Sequence, residues 1–253
     1  MFSRAHSQIL KGLSTIKSNN FRLFDITIWP LTFLISVLLL TAFLAKDSNL
    51  FSFVFIGVLG WRVLYHFSIE ITTLYMDEYW DQSIDQLMAS PIRLRDFALA
   101  GTVLAFLKTI VVTVIFLIFY VLVFGSLTFN FFTTIPALLV LAVFGLELGL
   151  IFLGCAYLYG SDSFAANFAI ADMLSVLSGA FYPLTLFPPL VQSIALIFPT
   201  TQAFNIVKSA YNLGTADYTL TIITLIAWGV IALLFNKWAL EKARKEGKII
   251  KLK

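Results

Sequence analysis

The sequence predicts an all-α polytopic membrane protein, and three observations carry that prediction. Hydrophobic residues make up 60% of the 253 and charged residues only 12%, about half the charged share of a soluble domain. Mean hydropathy reaches +0.92, and the apolar residues gather into windows of about 20 or more, the length a helix needs to cross a bilayer core. Most basic residues lie in the flanks of those windows rather than inside them.

The first 25 residues are too polar for the bilayer core. Ile9, Leu13 and Ile16 share a helical face, and Arg4, Lys11, Lys17 and Arg22 suit an anionic inner leaflet. The spacing predicts an amphipathic helix on the membrane surface. No cleavable signal is read, and the apolar run beginning at Ile26 is expected to be an uncleaved span.

Six windows follow, at about 26–45, 50–69, 98–124, 131–159, 164–187 and 218–236. They form a single membrane domain, 26–236, followed by a basic tail, 237–253. Thirteen of the 17 Lys and Arg fall in the N-terminal segment, in the connection between spans two and three (Arg93 and Arg95), or in the tail. Cytoplasmic segments carry the excess of Lys and Arg. Both termini are therefore expected in the cytoplasm, the span count is even, and the chain is multi-pass in the plasma membrane.

The connection at about 70–97 contains a short amphipathic pattern that ends at Ser90-Pro91. Trp80, Ile84, Leu87 and Met88 share one helical face, while Asp77, Asp81 and Asp85 follow at i, i+4 and i+8 along another. Its apolar face can lie on lipid or on a cytoplasmic protein. Three aligned like charges repel mildly, so the acidic face calls for a basic partner or for water.

On the other side, "FYPLTLFPPLVQSIALIFPTTQAF" (Phe181 to Phe204) is apolar enough to enter a membrane. Pro183, Pro188, Pro189 and Pro199 break it, because each proline removes a donor and clashes with the preceding turn. It is neither a sound spanning helix nor an ordinary aqueous loop.

Five ionisable residues fall in apolar runs: Arg62, His66, Lys108, Glu147 and Asp172. Such groups face a cavity or pair with one another. Counted from the predicted span ends, Lys108 and Glu147 lie at matching depths, which predicts a Lys108–Glu147 pair. Depth also allows an Arg62–Asp172 pair, against snorkelling of Arg62 to the headgroups. Arg62, His66 and Glu70 form one polar stripe at i, i+4 and i+8. Gly145 and Gly149 flank Glu147 in the G-x-x-x-G spacing that lets helices approach closely.

One cysteine, Cys155, and two histidines leave no internal disulfide and no zinc constellation. No cofactor is expected in this chain, and no nucleic-acid partner. Clustered catalytic His, Glu or Asp motifs are missing, and so is the P-loop G-x-x-x-x-G-K-[ST], so the chain is not expected to be an enzyme.

Two stretches resemble the ABC-2 type exporter permeases. "SIDQLMASPIRLRDFALAGTVLAF" is similar to that family's segment after the second span, through Ser83, Leu87, Ser90 and Pro91. "LSGAFYPLTLFPPLVQSIALIFPTTQAF" is similar to the region after the fifth, through Ser178, Gly179, Tyr182, Pro183, Leu184, Pro188, Pro199 and Thr200. With six spans, the resemblance covers nearly the whole chain. It implies a permease working as a homodimer or heterodimer, each copy paired with a separate cytoplasmic ATP-binding cassette subunit that supplies ATP and Mg. The connection after span two is then a coupling helix docking on that ATPase through Asp77, Trp80, Asp81, Ile84, Asp85, Leu87 and Met88. The proline-rich stretch becomes an outer re-entrant hairpin capping the exit: Pro183 ends span five, and Pro199 separates two short helices, the second along the outer rim. The runner-up is a self-sufficient secondary transporter or channel, although no inverted repeat is detected.

Overall fold

The computed structural model describes residues 2–44, 48–84, 86, 94–125 and 130–247. Among them it holds nine α-helices, one 3-10 turn and no strand. The helices are α1 (Phe2–Ser18), α2 (Asn20–Leu44), α3 (Ser48–Trp80), α4 (Leu94–Phe124), α5 (Phe131–Tyr159), α6 (Asp162–Leu177), α7 (Pro189–Ala195), α8 (Pro199–Ala210) and α9 (Tyr218–Lys245). By length and composition α2, α3, α4, α5 and α9 can each cross a membrane, and α7 with α8 makes a sixth candidate if that pair, bent by 97°, is one span. The chain is a multi-pass helical membrane protein.

Local chemistry sets the helix ends. Asn19 separates α1 from α2, and its side chain accepts from the backbone N–H groups of Phe21 and Arg22 at 3.0 and 3.3 Å. Asn130 caps α5 by accepting from Phe132 N–H, and Asp217 caps α9 by accepting from Leu220 N–H. Each occupies the donors that a helix start leaves open. Gly160, at φ +60°, ends α5, a conformation that costs glycine nothing. Hydroxyls inside the apolar helices are satisfied locally: Thr32, Ser36, Thr102 and Thr113 each donate to the carbonyl four residues back.

Helix α3 is the axis of the bundle. Its apolar window is 83% buried, against 17% for α4 and for α9. Gly145 and Gly149 of α5 lie directly on it. A Cβ at Gly145 would stand 2.7 Å from the Phe67 Cβ, and one at Gly149 would stand 3.1 Å from the Ser68 carbonyl oxygen. The G-x-x-x-G spacing thus makes the α3–α5 seam, and Thr72 donates across it to the Gly149 carbonyl. Helix α9 runs parallel to α5, with Trp228 against Phe144, Gly229 beside Glu147, and Asn236 donating to the Leu150 carbonyl. Helix α6 runs antiparallel to α3: Phe164 meets Trp80, Asp172 meets Trp61, and the Ala180 carbonyl presses on Gly57. Helix α1 packs beside the C-terminal end of α3, its Gly12 close to Leu74 and Leu104. Ala243, near the end of α9, clusters with Tyr75 and Tyr157. Helix α1 and the end of α9 therefore lie at the same end of the bundle.

Three expectations need correction. The connection after span two does not begin a separate helix at Met76, because α3 continues to Trp80. No Gly or Pro interrupts 69–80, and the carboxylates there gain basic partners on α1 and α2. The helix stops at a turn with Gln82 at φ 55°, while Asp85, Leu87 and Met88 lie outside the described residues. The fifth window, about 164–187, holds a helix of only 16 residues. Gly179 at φ +68° turns the chain after Leu177, before Pro183 is reached. Finally, α8 is not a rim helix. Thr200, Thr201, Ala203, Phe204, Ile206 and Val207 are buried, with Phe204 against Gly60 of α3.

The prolines of this region start elements as well as ending them. Pro183 precedes the 3-10 turn Leu184–Leu186, and Pro188 caps α7. Pro189 and Pro199 occupy the first positions of α7 and α8, where a missing N–H costs nothing. Carbonyls freed by the breaks are met by side chains. Tyr182 Oη donates to Val176, Gln192 to Phe187, Thr201 to Ala195, Gln202 to Leu196 and the Trp228 indole to Ile197, all at 2.6 to 3.1 Å. Broken backbone at membrane depth survives only when its polar groups are satisfied internally, and these five bonds satisfy it.

Candidate functional site

The start of α2, the C-terminal half of α3, the first half of α4 and the first turns of α6 enclose a cavity of about 400 Å³. That volume is in the range of small-molecule sites, roughly 300–1,000 Å³. Its walls differ in character. Helix α2 contributes Arg22 and Asp25, α3 contributes His66 and Glu70, and α4 contributes Lys108. The opposite wall is aromatic, built from Tyr65 and Trp80 of α3 with Phe164 and Phe168 of α6.

The polar wall follows from the spacing of α3. Residues four apart share a helical face, so Arg62, His66 and Glu70 stack along one side, all buried. Lys108 reaches across from α4 to Glu70, Nζ to Oε2 at 2.5 Å. Arg62 donates to the Asp25 backbone carbonyl at 3.1 Å and approaches His66 Nε2 at 3.4 Å. Its guanidinium lies 4.4 Å from the Tyr65 ring centroid and 5.2 Å from that of Trp61, within cation–π range. Nε and Nη1 of Arg62 have no hydrogen-bond partner among the described residues. Asp172 accepts from the Trp61 indole at 2.9 Å.

The aromatic wall is a chain of ring contacts. Trp80 and Phe164 meet edge to face at 5.1 Å and 88°, Phe164 and Phe168 at 4.9 Å and 88°, and Tyr65 and Phe168 at 5.8 Å.

Below the cavity, the acidic tip of α3 is tied to the N-terminal helices. Arg22 grips Asp77 with both terminal nitrogens. Lys11 of α1 lies 2.8 Å from Glu78 and 3.5 Å from Asp81. Burial pulls the Lys11 pKa down, but the hydrogen bond and charge of Glu78, with Asp81, outweigh it and leave the ammonium above its ordinary value. The basic partner that the aspartate stripe called for is thus partly in the chain itself.

These contacts place the predicted site residues. Lys108 pairs with Glu70 on α3, not with Glu147. Matching depth put Lys108 and Glu147 level, but Gly145 and Gly149 face α3, which turns Glu147 toward Gly229 of α9. Its Oε2 is buried without a hydrogen bond. Arg62 and Asp172 are neighbours that make no direct bond, since each is occupied by Trp61, Tyr65 or the α2 backbone. Of the proposed docking face, Trp80 sits on the cavity rim. Ile84 is 1% exposed, packed with Tyr75, Tyr157 and Ala243. Asp77 is held by Arg22, and Asp81 stays largely exposed beside Lys11.

Asp25, Arg22, Tyr65, Phe164 and Phe168 were not singled out as site residues in the sequence. Asp25 carried a signal, being the only acidic residue before Asp47. The aromatics carried none among 26 Phe and 9 Tyr. Among the described residues no cluster of three or more His, Cys, Asp or Glu could hold a metal. Compared with family models and with curated proteins, the sequence matches no family model and no curated relative.

Proposed function

We propose that the chain is the membrane subunit of an ATP-driven exporter, forming the translocation path with a second copy and coupled to a separate cytoplasmic ATPase. The observation that carries this reading is the charged and aromatic cavity among helices α2, α3, α4 and α6, immediately above the acidic tip of α3. A solute held there can be reached from the end of the bundle where the basic flanks gather, and the broken α7–α8 pair closes the opposite end. With α6 and its turn counted as the return pass along α3, the chain crosses six times and both termini face the cytoplasm. ATP binding would bring the ATPases together and push the α3 tip, moving α2 and α3 relative to each other at the cavity.

The test is co-purification of a cassette ATPase with the chain, followed by the double variant Leu87→Asp and Met88→Asp. Loss of the ATPase with a monodisperse membrane subunit supports docking through this connection. Unchanged co-purification refutes it. Ile84 is unsuitable for this test because it is a core residue.

The buried stripe of Arg62, His66 and Glu70 favours the second reading, a self-sufficient transporter driven by an ion gradient. Transport by the chain alone in ATP-free vesicles would establish that reading.

A further inference from the structure

We infer that the cavity takes an organic cation with an aromatic or other apolar body. The inference rests on reading this cavity as the solute site and names the class of solute. Four rings, Tyr65, Trp80, Phe164 and Phe168, form one continuous wall. Ring faces attract cations held against them and also bury apolar surface. The charges opposite are largely occupied. Lys108 is bound to Glu70 and Arg22 to Asp77.

The lining charge left over is Asp25. Among the described residues its side chain makes no hydrogen bond or ion pair, although its backbone carbonyl accepts from Arg62. Two further charges lie behind the wall. Arg62, 1% exposed, is spread against the Trp61 and Tyr65 rings, and Asp172 accepts from Trp61. Asp25 and Asp172 set two formal negative charges against the one positive charge of Arg62. Arg62, against the Tyr65 ring and 1% exposed, offers an anion little surface, whereas Asp25 lines the cavity together with the aromatic wall. The volume, about 400 Å³, admits a compact organic ion.

The test compares two water-soluble aromatic ions on the full-length chain in nanodiscs by titration calorimetry: benzyltriethylammonium and naphthalenesulfonate. The expected result is saturable binding of the ammonium, at least about tenfold tighter than that of the sulfonate. Asp25→Asn should weaken it about tenfold, Asp25→Glu should restore it, and Phe168→Ala should weaken it severalfold. Equal or tighter binding of the sulfonate, binding of neither ion, or an Asp25→Asn chain that binds the ammonium unchanged each overturns the inference. If Asp25→Asn fails to fold, the comparison of the two ions on the unaltered chain decides alone. The outcomes separate the two readings: an ATPase that co-purifies while the ammonium does not bind removes only this inference. Ammonium binding and ATP-free transport together keep the cation site and remove the ATP-driven reading.

Discussion

Lys108→Met leaves Glu70 as a buried carboxylate without its counter-ion, and the geometry sets the size of the penalty. The side chains of Lys108 and Glu70 are 11% and 5% exposed and bond directly, so water in the cavity they line replaces the lost ammonium only in part. Breaking such a pair from one side costs about 3–5 kcal/mol. For a chain of this size about 3 kcal/mol corresponds to a fall in Tm of roughly 6–12 °C. The double variant Lys108→Met with Glu70→Gln removes both charges and should recover most of the loss, because a neutral pair no longer demands compensation. Thermal unfolding of the four proteins, in one detergent, closes a double-mutant cycle with a coupling of about 2 kcal/mol or more. Single variants within about 1 kcal/mol of the parent, or penalties that simply add, would refute a buried, directly coupled pair.

Other expectations follow from the same contacts. Gly57→Ala puts a Cβ 2.1 Å from the Ala180 carbonyl oxygen, so it should separate α3 from the turn after α6 and lower thermal stability by about 1–3 kcal/mol. Glu147→Gln should leave stability unchanged or raise it, since it replaces a carboxylate whose Oε2 has no hydrogen bond; a clear loss would mean that the charge is used. Lys11→Glu sets like charges against Glu78 and Asp81 and should speed hydrogen exchange in α1 while leaving α5 unchanged. The raised pKa of Lys11 gives the latch its alkaline limit. Its contribution is complete below the ordinary lysine value and is lost as pH rises through the raised one, seen as release of α1 to exchange above about pH 10.5. In a Cys155→Ser background, a cysteine at Leu190, which is 73% exposed, should react with an impermeant maleimide only from the outside. Labelling only from the inside would reverse the orientation.

Hydropathy was enough to locate the long helices because each is apolar on most faces, and that signal needs no partner. The stripe of Arg62, His66 and Glu70 was legible for a similar reason, since helical periodicity fixes which residues share a face. What could not be read was which neighbour each face meets. Lys108 found Glu70 because α3 is the axis of the bundle, a fact of packing order that depth does not contain. The shortening of α6 was written in Gly179, but its meaning was hidden behind the louder signal of Pro183 four residues later. The rim position expected of α8 came with the resemblance, and Lys208, Gln202 and two adjacent threonines within it gave no sign of burial. These are buried, and Thr201 and Gln202 serve the carbonyls of the break before them.

The bond from the Trp228 indole to the Ile197 carbonyl limits how the molecule can open at its broken end. Phe198 stacks on the same indole at 5.3 Å and 26°, so the elbow between α7 and α8 is fastened to the last long helix by one polar and one apolar contact. Swinging the elbow away alone would break that bond, at a net cost of about 0.5–1.5 kcal/mol. The less costly motion carries α9 with it. On the exporter reading, a passage opening at that end would be a rigid displacement of three helices together, and lipid pressing on the exposed face of α9 would bear directly on whether it opens.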